Sequence, residues 1–198
     1  MATVTGTLVS EGGPRPSIAF VHDDPTLCSA AEWWGGLARS AAALVVVFAL
    51  AGAAASLAAG VPDVSLALWV LAGGAGGACA RLAATVRRER RIAVSETGHG
   101  PTGPAPQPTL LRLAGALLAR AWVAWPVIVI AGGERTPGHA LAAAAWAPAV
   151  TAAWTACGAA AAAWRIRRLE RRRGVEVLFA VGMRQRALAP PVIRAAPR

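Results

Sequence analysis

Leu44-Val45-Val46-Val47-Phe48-Ala49-Leu50-Ala51-Gly52 is the stretch on which the fold turns. It carries no charge, and the apolar sequence around it runs from about Leu37 to about Ala59. A hydrocarbon core about 30 Å thick takes about 20 residues of helix. Leu, Ile, Phe and Val each contribute roughly −0.3 to −0.6 kcal/mol to insertion at a helix centre. Leu44, Val45, Val46, Val47, Phe48, Leu50 and Leu57 together supply roughly −2 to −4 kcal/mol on that scale, so this segment inserts unaided.

Working outward, three further windows have the required length: about Val64 to Ala84, Leu111 to Ala131 and Ala140 to Trp164. The fourth is the poorest inserter. Alanine fills most of it, and Leu141 and Val150 are its strong contributors. Such a helix needs the Arg-rich stop behind it and neighbours beside it. Its bare surface lets backbones approach closely, which places it inside a bundle or at a subunit contact.

The composition agrees with these spans. The chain has 198 residues, 56% of them hydrophobic and 15% charged, where a soluble domain carries about 25% charged residues. That excludes an ordinary water-soluble domain, and disorder as well, since disorder needs low hydrophobicity. Three cysteines are too few for a disulfide scaffold. Lys, Asn and Tyr are absent and the net charge of +10 rests on Arg. All three missing residues use AT-rich codons, which points to a high-GC bacterial coding sequence rather than to arginine-specific chemistry.

Four spans would put both termini and the central linker on one side. The linker holds Arg87, Arg88, Arg90, Arg91 and Arg112. Beyond the fourth span lie Arg165, Arg167, Arg168, Arg171, Arg172, Arg173, Arg184, Arg186, Arg194 and Arg198. The opposite side has two tight connections, at Val61-Pro62-Asp63 and Glu134-Arg135-Thr136-Pro137. The positive-inside rule makes both termini cytoplasmic and the protein integral to the plasma (inner) membrane. No basic start followed by a short apolar stretch and a cleavage site opens the chain, so no cleaved signal peptide is expected. Trp33, Trp34 and Trp164 fall at the expected inner boundary and Trp69 and Trp146 towards the outer one, where an amphipathic ring suits headgroup depth. Trp122, Trp125 and Trp154 fall deeper, at positions for packing between helices.

The expected fold is therefore all-α: an integral membrane protein of four transmembrane helices arranged as two antiparallel hairpins. Residues 1–34 form a polar N-terminal cytoplasmic tail, 35–84 the first hairpin and 85–109 an Arg-rich, Pro/Gly-rich linker. Residues 110–164 form the second hairpin and 165–198 an Arg-rich cytoplasmic tail. Within the tails, Thr3–Val9 and Ser17–His22 read as a hairpin of strands that Val175–Val181 could join. Each transmembrane hairpin ends in a basic run with one Glu and then β-prone residues, an echo that a duplication or the need for a cytoplasmic stop explains equally.

Three groups of residues stand out. Gly52, Ser56 and Gly60, then Gly73 and Gly77, then Gly115 with Ala119, recur at four-residue spacing and form flat stripes for helix packing. Arg120 lies near the middle of the third span, where a charge costs roughly 2.5–3.5 kcal/mol. The surrounding Leu113, Leu117, Leu118, Val123, Val127, Ile128, Val129 and Ile130 return roughly 2.4–4.8 kcal/mol, so insertion is near balance. No Asp or Glu lies inside a span to pair with Arg120; it either marks an anion or headgroup site or snorkels to the cytoplasmic headgroups. Arg87, Arg88, Arg90, Arg91, Arg165, Arg167, Arg168, Arg171, Arg172 and Arg173 are placed to meet anionic lipid, each contributing roughly 1 kcal/mol near the surface.

No catalytic, cofactor or metal site is expected. His22, His99 and His139 are scattered, and Cys28, Cys79 and Cys157 form no close pair. Thiol oxidoreductase, haem and proton-coupled exporter signatures are missing. The expected function is non-enzymatic: an accessory or scaffold subunit that packs with itself, as a homo-oligomer, or within a larger membrane complex. The alternative is an oligomeric pore, lysis-type pore or anion-selective channel using Arg120. A weaker alternative is a membrane anchor for a nucleic-acid-handling machine. Nucleic acid is a disfavoured partner, because no helix-turn-helix pattern or stacking aromatics accompany the arginines.

Overall fold

In a computed structural model of the protein, residues 27–60, 64–89, 103–104, 106–132, 136–180 and 192–195 are described. They form, in order, β1 (Leu27–Ser29), α1 (Ala30–Ala58), α2 (Val64–Glu89), α3 (Leu110–Gly132), α4 (Pro137–Arg173), β2 (Val175–Ala180) and β3 (Val192–Ala195). The candidate strands Thr3–Val9 and Ser17–His22 lie outside the described residues.

Local chemistry sets the helix ends. Ser29 caps α1, its hydroxyl accepting the Glu32 N–H at 3.4 Å, with the Ser-x-x-Glu spacing of a capping box. Thr136 caps α4 in the same way for His139, with Pro137 in the first turn where its missing N–H costs nothing. Gly174 ends α4 in the left-handed region, φ 60°, and returns its N–H to the Glu170 carbonyl. The last turns of α4 therefore include Arg165 to Arg173, which form helix rather than the start of a tail.

Helices α1, α3 and α4 are long and apolar enough to cross a membrane; the apolar part of α2 among the described residues, Leu68–Ala84, is shorter. Alanine makes up most of the helix interior, with Leu44, Leu113, Leu117, Ile128 and Trp146 set among it. Ala41, Ala142, Ala143, Ala147, Ala149, Ala152, Ala159 and Ala162 are buried, whereas Val47, Leu50, Leu57, Leu71, Leu111, Val123, Ile130 and Leu141 are exposed. In water this distribution would leave a very large apolar surface bare, and soluble monomers avoid that. In lipid it is the stable one, because packing rather than water exclusion joins the helices.

Helix α4 is the hub. It packs on α1, α2 and α3, and those three pack little on one another. Helices α1 and α2 run antiparallel to each other without packing together. A short connection makes two helices antiparallel but does not make them touch; the glycine seams of both α1 and α2 face α4 instead. Trp146 meets Gly52 and Arg167 meets Gly35, so α1 and α4 run antiparallel. Val150 meets Gly73 and Arg165 meets Leu82, so α2 and α4 run parallel. Thr151 reaches Leu117 and Ala140 reaches Trp125, so α3 is antiparallel to α4. The chain thus runs up-down-up-down, with the short connections at one end and the Arg-rich termini of the helices at the other.

A small sheet closes the Arg-rich end. Its strand order is β1-β2-β3, both pairs antiparallel, with Cys28 opposite Phe179 and Val177 opposite Ile193. The β-prone segment after α4 does form a strand, but its described partners are β1 and β3, which the sequence reading did not single out. The Val177 N–H donates to the Glu170 carboxylate at 3.0 Å, tying the sheet to α4. The end of the 85–109 linker is pinned as well: the Gly103 N–H donates to the Leu27 carbonyl at 2.8 Å, and the Gln107 side chain lies directly on Gly36.

Candidate functional site

The helix-contact stripes divide once their surroundings are known. An ideal Cβ on Gly52 would come within 2.9 Å of the Trp146 ring, and one on Gly73 within 2.8 Å of Val150. A Cβ on Gly77 would overlap the Trp154 backbone carbonyl. Ser56 accepts the Trp146 indole N–H at 2.9 Å. These four residues therefore form the seats for α4. Gly60 and Gly115 do not: a Cβ on either meets nothing within 4 Å. Gly60 follows the end of α1 with φ +66°, a backbone conformation glycine adopts without a Cβ penalty. Gly115 faces outward on α3.

Trp146 is itself a correction. Its position suggests a ring at the outer headgroups, yet it is only 8% exposed and fills the notch over Gly52. Trp122, expected between helices, is instead 74% exposed. Sequence depth alone did not reveal which ring faced a glycine. Trp125 lies on α3 and donates to the Ala140 carbonyl at 3.1 Å. Trp154 covers Gly76 with its ring edge.

Each neighbour of α4 is joined to it by at least one side-chain hydrogen bond. Trp146 to Ser56 links α1. Arg165 donates to the Leu82 carbonyl of α2 at 3.4 Å. Thr151 donates towards the Leu117 carbonyl of α3 at 3.3 Å and to the Pro148 carbonyl at 2.9 Å. Both Pro126 and Pro148 lie inside continuous helices.

The basic residues gather at one end. Arg167, Arg168, Arg171, Arg172 and Arg173 are exposed and Arg165 is half-buried. The Arg81 guanidinium carbon sits 4.6 Å from the Trp34 ring centroid, bridging α2 and α1, and Arg168 lies 5.3 Å from that of Trp164. Cation–π pairing of this kind holds rings and guanidinium groups together at a wet boundary. Arg87 and Arg88 lie on the last turn of α2; Arg90 and Arg91 lie outside the described residues.

Arg120 is exposed on α3, away from the hub. On another side of α3, Leu118, Ala119, Ala121, Trp122 and Trp125, with Ala144, Ala147 and Pro148 of α4, line an open groove of about 390 Å³. Among the described residues no group of three His, Cys, Asp or Glu side chains is arranged to hold a metal. Among the described residues Cys28, Cys79 and Cys157 form no disulfide. No protein-family model, no curated protein and no solved structure matches this chain.

Proposed function

We propose that the chain is a non-enzymatic, membrane-embedded accessory or scaffold subunit, with α2 crossing the bilayer as a fourth span. The observation that supports this reading most is the inverted distribution of side-chain size. Among the described residues alanine makes up most of the buried core and sixteen large hydrophobic residues are exposed on the outside, leaving broad faces for lipid and for other helices. Helix α3 adds to this, since it meets the bundle mainly through α4 and keeps most of its circumference free.

Purification from native membranes in a mild detergent tests the reading. A stoichiometric partner or a defined oligomer is the expected result by size-exclusion chromatography with light scattering. A lone monomer that co-purifies with nothing would dispose of it. Liposome flux that vanishes in Arg120→Ala would establish the pore reading in its place.

The same proposal puts the Arg-rich end, with both chain termini, in the cytoplasm. Thiol-reactive probes that do not cross the membrane should then leave single cysteines placed at residue 2 and residue 197 unlabelled in intact spheroplasts, and label both after permeabilisation. Opposite outcomes at the two positions would exclude an even number of spans.

A further inference from the structure

We propose that the exposed face of α3 around Arg120 docks a transmembrane helix of another protein that carries an Asp or Glu within the bilayer. The inference rests on the membrane-subunit reading above and names the chemistry of the partner.

Arg120 lies eight residues past Arg112 on α3, about 12 Å further along the helix axis, with apolar residues on both sides. Among the described residues it makes no hydrogen bond and no ion pair. An ionised side chain at such depth is stable when it faces an opposite charge, backbone carbonyls or water. The chain supplies no opposite charge: between Glu32 and Glu89 the acid present is Asp63, and between Thr109 and Trp164 it is Glu134. By sequence, Asp63 falls between α1 and α2 and Glu134 between α3 and α4, neither within a helix. A second copy of this chain therefore cannot neutralise Arg120 in the bilayer, and a symmetric pair would set Arg120 against Arg120.

The face around Arg120 is open and apolar. Ala116, Val123 and Val127 share it with Arg120 at helical spacing, and all four are exposed. The small Ala116 one turn before Arg120 leaves room for a second helix, and the guanidinium provides a planar fork suited to a carboxylate. Charge complementarity thus points to an acidic helix.

The test uses the full chain, donor-labelled and reconstituted in phosphatidylcholine liposomes, with an acceptor-labelled synthetic Leu/Ala helix carrying one central Asp. Energy transfer is expected to give at least tenfold tighter association than with the same helix carrying Leu. The preference should vanish in Arg120→Leu, a change that eases insertion and so spares folding, and should persist in Arg120→Lys. Equal binding of the Asp and Leu helices, or a preference that survives Arg120→Leu, overturns the proposal. Arg120-dependent binding that follows anionic lipid content without an Asp preference overturns it in favour of a snorkelling, phosphate-bound arginine. Failure here with a partner still co-purifying would leave the subunit reading intact, whereas a lone monomer in detergent would remove that reading itself.

Discussion

Trp146→Ala is expected to loosen the bundle by about 2–3 kcal/mol, among the largest effects of any single side chain. The ring fills the notch over Gly52 and its indole N–H bonds Ser56 at 2.9 Å. Truncating a buried Trp in a water-soluble core costs about 3–5 kcal/mol, part of it transfer from water. That part falls away in lipid, where the separated helices are already in an apolar solvent. The lost dispersion contacts and the remaining hole set the cost. Two milder variants separate packing from hydrogen bonding. Ser56→Ala and Trp146→Phe each remove the bond, and both should cost about 0.6 kcal/mol and at most about 1.7 kcal/mol, the range measured for hydrogen bonds between membrane helices. Unfolding in mixed micelles with rising dodecyl sulfate, followed by circular dichroism, reads all three. If Trp146→Ala proved no worse than Ser56→Ala, the notch would not be a packing seat.

Gly77→Leu should detach α2 from α4. A Cβ at Gly77 has no room, because the obstacle is the Trp154 backbone carbonyl rather than a side chain able to rotate away. Overpacking costs about 1–3 kcal/mol where side chains absorb it, and more where backbone must move. A covalent reporter makes the loss visible. An ideal Cβ at Gly74 lies 3.9 Å from the Cys157 Cβ, within the separation of about 3.5–4.5 Å that a disulfide requires. Gly74→Cys, in a background with Cys79→Ala, should therefore form a bridge to the native Cys157 under mild oxidation. Adding Gly77→Leu should abolish the bridge, and adding Gly115→Leu, on the open face of α3, should leave it unchanged. A bridge that survives Gly77→Leu would show that α2 does not pack on α4 through this seam.

The same residues show where sequence reading stops. Gly52, Gly60, Gly73, Gly77 and Gly115 look alike as small residues four apart, and they do three different things. Three seat α4, one turns the chain, and one faces out. Spacing along a helix specifies which residues share a face, but not what stands opposite it. Trp146 and Trp122 exchanged their expected environments for that reason. Arg120 was legible as an unpaired charge at depth, since the absence of acids from the spans is a property of the list of residues. Its outward aspect was not.

The amino-acid order alone determined the helical segments, the Arg-rich ends of α2 and α4, and the alanine-lined character of α4. Those features follow from local sums of transfer energy, capping chemistry and charge, which need no partner to be evaluated. Tertiary structure alone decided that α4 stands between α1, α2 and α3, that α1 and α2 face it rather than each other, and that β1, β2 and β3 form one sheet. Helix association in lipid has no water-exclusion term to bias one apolar face over another. The choice falls to shape, to which glycine meets which ring, and shape exists only once the helices are placed together.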